Sequence, residues 1–147
     1  MVHCCGNNEA GQLGVASRSV QFMPIQVDSF EQRCKMIACG VHHTLVLTKE
    51  GQIYGFGSNM NGELGVETQH TMSINPVLIK DISHINMSFI AAGSFSASVA
   101  LDTGSLYLWG TGTFGEFSTP HRVKKIKERA QQVSIGDNFG VVLTEDN

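Results

Sequence analysis

The stretch IACGVHHTLVLTKEGQIYGFGSNMNGELGV, residues 37–66, decides the fold. Two short β-type runs, Thr44–Thr48 and Gln52–Phe56, flank a three-residue link that ends on Gly51. Such a link with glycine last is a favoured hairpin geometry, because glycine supplies the positive φ that the turn needs. A glycine-rich loop then closes on Gly-Glu-Leu-Gly, residues 62–65. The stretch therefore predicts a β-hairpin followed by a loop braced by glycines.

The same layout recurs on both sides of this stretch. Its loop glycines have counterparts at constant shifts of 51 and 53 positions, which gives the series Gly6, Gly11, Gly14, Gly57, Gly62, Gly65, Gly110 and Gly115. The glycines that open or turn each hairpin recur as well: Gly40, Gly51, Gly93, Gly104 and Gly136. Repetition at a period of about fifty residues marks a repeat protein. We interpret residues 1–147 as one repeat region with periods of roughly 1–51, 52–104 and 105–147.

Each period contains four strand signals. Besides the two hairpin runs, a short apolar run precedes each opening glycine, as in Lys35–Cys39, and a Pro-x-x-Val/Ile segment follows each loop, as at Pro76. Proline is tolerated at the first residue of a strand, so we expect these strands to begin at the proline. Phe56 and Trp109 fill an aromatic position that packs between units. Four strands per unit predict an all-β fold, a partial β-propeller of about three four-stranded blades.

Composition is that of an ordinary globular protein and excludes several classes. Hydrophobic residues make up 41% of the chain and the mean hydropathy is -0.01. A net charge of -3 gives no general attraction to nucleic acid or to an anionic membrane. No apolar run approaches the ~18–20 residues of a membrane span, and the N-terminus lacks the pattern of a secretory signal. We expect an intracellular protein, cytoplasmic or nuclear, whose four cysteines are reduced.

The strings CGVHHTLVLTKEGQIYGFGSNMNGELG, AGSFSASVALDTGSLYLWGTGTFGEF and CGNNEAGQLG resemble repeats of the regulator of chromosome condensation family. The family pattern has an opening glycine, a histidine three residues on, an acidic-glycine turn, a tyrosine–tryptophan–glycine segment and a closing Gly-x-Leu-Gly. Phe56 stands where the usual tryptophan would be. The residues that fit the pattern are Gly40, His43, Gly51, Tyr54, Phe56, Gly57, Asn59, Gly62, Leu64 and Gly65.

This resemblance implies a propeller, commonly of seven blades, that serves as a platform for protein partners. Family members include exchange factors for a nuclear small GTPase, modules of ubiquitin ligases and kinases, and a plant ultraviolet receptor. The receptor chemistry depends on a tryptophan cluster, and Trp109 is the one tryptophan here. Three periods do not close a seven-bladed ring. We therefore expect a fragment of a larger propeller whose missing blades come from the rest of the chain or from another subunit.

Two motifs resemble nucleotide sites but lack the required context. Residues 110–115, GTGTFG, match G-x-G-x-x-G, yet no helical pattern follows and Pro120 comes soon afterwards. Gly57 and Gly62 have the glycine spacing of a phosphate loop, but Glu63 occupies the place of the essential lysine and would repel phosphate. No cofactor is expected.

Histidines and cysteines do not have the spacing of metal ligands. His42 and His43 are adjacent and close to Cys39, whereas zinc ligands come in pairs at C-x2–4-C or H-x3–5-H spacing. His43 occupies a repeat position that Ser96 and Phe139 fill in the other copies. We interpret it as a structural histidine whose ring nitrogens are hydrogen-bonded to the backbone. No metal ligand is predicted, and no catalytic residue either, since no serine lies in G-x-S-x-G.

One cluster of basic residues follows the last proline: Arg122, Lys124, Lys125, Lys127 and Arg129. Two interpretations stay open. The cluster is either a solvated outer strand and link with its apolar residues facing inward, or a patch for an acidic protein or nucleic acid.

The repeats and the absence of a catalytic pattern predict a non-catalytic module for protein–protein interaction, part of a larger protein or complex. The alternative is guanine-nucleotide exchange on a Ran-type small GTPase, since exchange requires no covalent catalysis. We expect the functional surface where the copies differ, in the loops before each proline and in the basic cluster. We also expect Gly40, Gly57 and Gly93 to require positive φ.

Overall fold

The computed structural model describes residues 1–112 and 115–145. Within these residues the structure has one short 3-10 helix, Lys80–Ile82, and no helix long and apolar enough to cross a membrane. The strands of the described residues are β1 (His3–Gly6), β2 (Gln21–Gln26), β3 (Cys34–Cys39), β4 (His43–Thr48), β5 (Ile53–Ser58), β6 (Met72–Leu78), β7 (Met87–Ala92), β8 (Ser96–Leu101), β9 (Leu106–Gly112), β10 (Gly115–Arg122), β11 (Ala130–Ile135) and β12 (Gly140–Thr144).

The strands form four antiparallel sheets in chain order. β3–β6 make one four-stranded sheet, the first blade, and β7–β10 make the second blade. β1 and β2 form a two-stranded N-terminal half-blade, and β11 and β12 form a C-terminal half-blade. The predicted all-β partial propeller is confirmed, with strands for three blades arranged as two complete blades between two halves. Each complete blade begins inside one sequence period and ends in the next.

Connections between strands lie at two ends of the blades. The first strands of neighbouring sheets, β3, β7 and β11, pack against one another and are therefore innermost. Because pairing is antiparallel, successive connections alternate between the ends. We call one the loop end; it carries the turns before β4, β8 and β12 and the loops 7–20 and 59–71. The other, the hairpin end, carries the turns before β5 and β9 and the links 79–86 and 123–129.

The core lies between the blades. In β4 the side chains of Leu45 and Leu47 point to one face and that of Val46 to the other, and all three are fully buried. Toward the second blade the core contains Leu45, Leu47, Ile53, Ile79, Ile82, Met87, Ile90 and Trp109. Toward the N-terminal half-blade it contains Val2, Val27, Phe30, Val46 and Phe56. A blade therefore buries its two faces only against neighbours on both sides.

The prolines do not begin their strands, so that sequence prediction is wrong. Pro24, Pro76 and Pro120 lie inside β2, β6 and β10. Each falls within an interruption of the pairing register; in β10 the interruption runs between Phe117 and His121. A bulge leaves a backbone position unpaired, and an outer strand has a free side, so the missing N–H of proline costs little there.

Candidate functional site

The closing glycine of each loop lies against an aromatic ring of the next blade. A Cβ atom on Gly65 would lie 2.9 Å from Nε1 of Trp109 in the second blade. A Cβ atom on Gly14 would lie 2.9 Å from Cδ2 of Phe56 in the first blade. The Trp109 indole N–H also donates a hydrogen bond to the Glu63 carbonyl oxygen at 2.8 Å. The loop of one blade thus forms the seat for the aromatic ring of the next.

Four further loop and turn glycines also lie at contacts between blades. Gly11 and Gly62 lie against the outermost strand of the following blade, and a Cβ on Gly62 would come within 2.9 Å of a backbone Cα atom of β10. The turn glycines Gly51 and Gly104 lie against the link that leads to the next blade. The Gly104 carbonyl oxygen accepts the Ala130 N–H at 2.8 Å. At each of these four glycines, a backbone atom of the following element lies in the space that a Cβ atom would need.

The opening glycines Gly40 and Gly136 allow close approach of a ring and do not have a special backbone angle. Gly40, Gly93 and Gly136 directly follow the innermost strands β3, β7 and β11. Gly40 and Gly93 are not among the glycines with positive φ, so that expectation is wrong for both. A Cβ on Gly40 would clash with the His43 ring and lie 2.6 Å from the Gly93 carbonyl oxygen. For Gly57 the expectation is correct, because its φ is 105°.

Glu63 is a buried carboxylate that braces its own loop. It accepts hydrogen bonds from the Ser58 hydroxyl at 3.1 Å, the Asn61 backbone N–H at 2.8 Å and the Asn61 side-chain amide at 3.1 Å. The equivalent Gln12 braces the first loop, where its side-chain oxygen accepts the Ala10 N–H at 3.0 Å. Donors of this loop are therefore directed at its own carboxylate.

Replacement of Glu63 by alanine is expected to lower the free energy of unfolding by about 1–3 kcal/mol, since it leaves buried donors without an acceptor. Glu63→Gln is the matched control, because glutamine keeps an acceptor and already serves in the first loop. Urea denaturation of both variants measures the difference. Equal loss in the two variants would show that the carboxylate oxygens do not brace the loop.

His43 is a core residue, but its ring is not hydrogen-bonded as expected. Its side chain is 1% exposed, and neither ring nitrogen has a partner among the described residues. Burial lowers the pKa of His43 from its ordinary 6.5 to about 4; the nearby Glu63 charge opposes this shift and His42 adds to it. Phe139 occupies the same repeat position with an apolar ring. His43 therefore acts as a neutral ring that fills space over Gly40.

The free energy of unfolding is expected to decrease as the pH is lowered below about 6.5. In this range His43 binds a proton in the unfolded state but stays neutral in the folded state. The loss should be complete below pH about 4 and amount to about 3 kcal/mol, at 1.36 kcal/mol per pKa unit. Urea unfolding of wild type and His43→Phe between pH 7 and 4 measures it. Parallel curves for the two proteins would contradict the assignment to His43.

The run that resembles a nucleotide site lies within the second blade. The run G-x-G-x-x-G begins inside β9, which ends at Gly112, and ends at Gly115, the first residue of β10, so a strand and not a helix follows it. Thr113 and Phe114 of this run lie outside the described residues. Gly110 is the position in β9 that follows Trp109 and has a φ of 92°. Within residues 1–112 and 115–145 no three His, Cys, Asp or Glu side chains are grouped to hold a metal.

The basic cluster lies at the hairpin end, and its two arginines are held by the second blade. Arg122 donates to the Ser105 hydroxyl at 3.0 Å, and Arg129 donates to the Asp102 carbonyl oxygen at 2.8 Å. Arg129 also faces Glu145 at 3.7 Å. The three lysines, Lys124, Lys125 and Lys127, are exposed. Two of the five cations are thus structural.

In the two complete blades, three turns at the loop end carry exposed apolar side chains. Val41 is 53% exposed, Met60 77% and Phe95 43%. Two shallow depressions lie beside them: one of about 340 Å³, lined by Val41, Gly93 and Asp137, and one of about 500 Å³, lined by Asn61, Phe95 and Asp137. We call Val41, Met60, Phe95 and the residues of these depressions the loop-end surface. The loops before Pro24 and Pro76 also lie at the loop end, whereas the basic cluster lies at the hairpin end, so the two surfaces expected from the sequence are not brought together.

Sequence reasoning missed this surface, although a signal was present. Each apolar residue stands in a turn beside glycine, asparagine or serine: Gly-Val-His at 40–42, Asn-Met-Asn at 59–61 and Ser-Phe-Ser at 94–96. Turns of this composition are normally polar at their tips, so three apolar residues in such turns are the signal that the sequence contained.

The chain is thus a partial β-propeller built from repeats, and its repeated residues pack each blade against the next. A family model for the regulator of chromosome condensation (RCC1) repeat matches residues 1–47 and 50–100, and a second model of the same description matches residues 35–63. The chain belongs to the RCC1-repeat family.

Several characterised proteins are similar to this chain. The ultraviolet-B receptor UVR8 of Arabidopsis thaliana is 30% identical over 96% of this chain, which spans 32% of the receptor. The human X-linked retinitis pigmentosa GTPase regulator is 31% identical over 89% of this chain, which spans 13% of that protein. Prp20p of Saccharomyces cerevisiae has the same fold, with a TM-score of 0.82 and 21% identity over 99% of this chain and 40% of that one. The chain therefore spans a third or less of the two sequence relatives.

Proposed function

We propose that this chain is a non-catalytic module that binds another protein through its loop-end surface. The observation that carries the proposal is the exposure of Val41, Met60 and Phe95 at one end of the blades. Interface centres combine exposed apolar and aromatic anchors with few charges, and loops held on a rigid scaffold often carry binding residues. Here the scaffold is rigid because each loop is seated on the neighbouring blade.

The depressions add polar groups that fix a partner's orientation. Asp137 borders both of them, and Asn61 borders one. The Thr111 hydroxyl donates to the Asn61 carbonyl oxygen at 3.1 Å, so the first and second blades are joined beneath this surface. A partner with apolar side chains and a few hydrogen-bond donors fits this arrangement.

Comparative capture from a cell extract tests the proposal. The bait is the wild-type chain, the triple variant Val41→Ser, Met60→Ser, Phe95→Ser, or the control Lys124→Glu, Lys125→Glu. We expect the triple variant to lose partners by more than tenfold, since anchors at an interface contribute about 2 kcal/mol or more each. We expect the control to retain them. Unchanged capture by the triple variant, or loss confined to the charge-reversal variant, would move the binding surface to the hairpin end.

The second candidate function is nucleotide exchange on a small GTPase. The observation that favours it is the 31% identity with a protein described as a GTPase regulator. Release of fluorescent GDP from a panel of Ran-type and related GTPases decides between the two functions. Accelerated release by the wild-type chain would establish exchange, and no acceleration at saturating chain would leave binding as the function.

A further inference from the structure

The charged residues are divided unequally between the two ends of the blades. Of the 10 Lys and Arg residues, nine lie at the hairpin end, in the links 27–33, 79–86 and 123–129, in the turn before β5 and in the strand residues next to them. The tenth, Arg18, lies at the loop end, where its Nε–H donates to the Glu9 carbonyl oxygen at 2.6 Å. The loop end therefore has a single Lys or Arg among the described residues, and its own loop holds it.

Carboxylates outnumber cations at the loop end. Within the described residues four exposed carboxylates lie there: Glu9, Glu67, Glu116 and Asp137. The hairpin end has charges of both signs, with seven carboxylates among its described residues. The two ion pairs of the described part of the chain, Arg33 with Glu50 and Arg129 with Glu145, also lie at the hairpin end. The electrostatic potential at the loop end is therefore negative and largely unopposed.

Asp137 lies next to two apolar residues of the loop-end surface. It borders the depression that Val41 lines and also the depression that Phe95 lines. Asp137 is exposed, and within the described residues no Lys or Arg lines either depression. A partner side chain that covers Val41 or Phe95 therefore has a carboxylate beside it and no competing cation.

Glu116 lies near the third apolar residue of this surface, Met60. In the pairing of β9 with β10, Glu116 is directly opposite Thr111. The Thr111 hydroxyl in turn donates to the carbonyl oxygen of Asn61 at 3.1 Å. Asn61 follows Met60 in the same turn, so Glu116 is one strand away from the point where this turn meets the second blade. The two exposed carboxylates therefore lie on either side of the apolar residues.

We propose that the loop-end surface binds a basic partner, a protein segment in which Lys or Arg residues flank apolar side chains. This inference rests on the proposed function and adds the charge of the partner. Apolar side chains of the segment cover Val41, Met60 and Phe95, and its cations lie against Asp137 and Glu116. Charge complementarity supports this occupant, because potentials of opposite sign face each other at specific interfaces and like charges suppress wrong partners.

The division of charge also orients the approach of such a partner. A cationic segment is attracted to the loop end, whereas the hairpin end presents nine Lys and Arg residues to it. An acidic segment or a nucleic acid would instead place its negative charges against Asp137 and Glu116. Because this attraction acts over a distance, added salt is expected to slow association with a basic partner.

Selection from a display library of random peptides tests the inference. Peptides that bind the wild-type chain are kept only if the triple variant Val41→Ser, Met60→Ser, Phe95→Ser does not bind them. Lys and Arg, together with apolar residues, are expected to be enriched several-fold in this set. A set without an excess of Lys and Arg would overturn the inference and leave the proposed function intact. If no peptide depended on the three apolar residues, both would be overturned.

Charge reversal at the two ends assigns the effect to named carboxylates. For an enriched peptide, Glu116→Lys, Asp137→Lys is expected to weaken binding by about tenfold or more, because two attractions become two repulsions. The matched control Asp81→Lys, Glu128→Lys changes the net charge equally, at two exposed residues of the hairpin end, and should leave the affinity within about twofold. Circular dichroism checks that both variants are folded. Equal weakening by the two variants, or none by the first, would overturn the proposal.

Discussion

Replacement of Gly57 by valine is expected to lower the free energy of unfolding by about 4 kcal/mol. Two effects add. A β-branched residue at a φ of 105° costs about 1–3 kcal/mol in backbone strain. In addition its Cβ would clash with the His42 carbonyl oxygen and lie 2.7 Å from the His43 Cα atom and 3.2 Å from that of Gln12. Displacing packed backbone costs about 1–3 kcal/mol more. Urea denaturation followed by circular dichroism measures the sum.

Gly6→Val is the matched control for this prediction. Gly6 has the same repeat position and a φ of 107°, but nothing lies within 4 Å of its Cβ position. It should therefore show the strain alone, about 1–3 kcal/mol. The comparison is made at a concentration at which light scattering gives the mass of one chain. Equal losses for the two variants would show that contact with β4 and the preceding loop contributes nothing at Gly57.

Replacement of Trp109 by alanine is expected to cost about 3–5 kcal/mol, the usual effect of deleting a buried large aromatic side chain. Trp109 is 1% exposed, belongs to the core between the two complete blades and donates to the Glu63 carbonyl oxygen. Its loss removes contacts on both sides of that boundary. Thermal unfolding of the variant measures the effect.

Trp109→Phe is the control, because phenylalanine fills the same position in the first blade. It should cost about 1–2 kcal/mol for the lost hydrogen bond and part of the ring. If Trp109→Ala and Trp109→Phe lost equal stability, packing of an aromatic ring against Gly65 would not be the source of the stability that Trp109 provides.

The strands and the fold class could be predicted from the sequence because they depend on local signals. Runs such as Thr44–Thr48, the turn at Gly51 and the spacing of the loop glycines act within one period. Because these signals recur at a constant period, they predict an array of blades and not a single hairpin. The resemblance to the RCC1 family came from the same residues and is confirmed by the family models.

Other features depend on contacts between residues that no local pattern connects. Gly65 and Trp109 meet across two blades, so the sequence showed a glycine and an aromatic position without showing that one seats the other. The sequence alone predicts a strand start at Pro76, because the bulge that accommodates a proline inside β6 depends on pairing with β5. The ring nitrogens of His43 have no hydrogen-bond partner among the described residues. The reason is that the ring packs over Gly40, a contact that the residue type alone does not predict.

The candidate site was predictable in part. The basic cluster could be read from the sequence, but the attachment of Arg122 and Arg129 to the second blade follows only from the fold. Val41 and Phe95 lie far apart in sequence and reach one end of the molecule because β3 and β7 are neighbouring innermost strands.

The central claim is that the repeated glycines and aromatic rings lock successive blades together, and a double-mutant cycle between Gly65 and Trp109 tests it most directly. In the wild-type background the Cβ atom added by Gly65→Ala would lie 2.9 Å from the Trp109 ring. The substitution should therefore lower the free energy of unfolding by about 3 kcal/mol. In a Trp109→Leu background the ring is gone, and the same change should cost only the strain of a φ of 64°, about 1–2 kcal/mol. A coupling of about 1 kcal/mol or more between the two changes is the expected result, and additivity within about 0.5 kcal/mol would contradict the account.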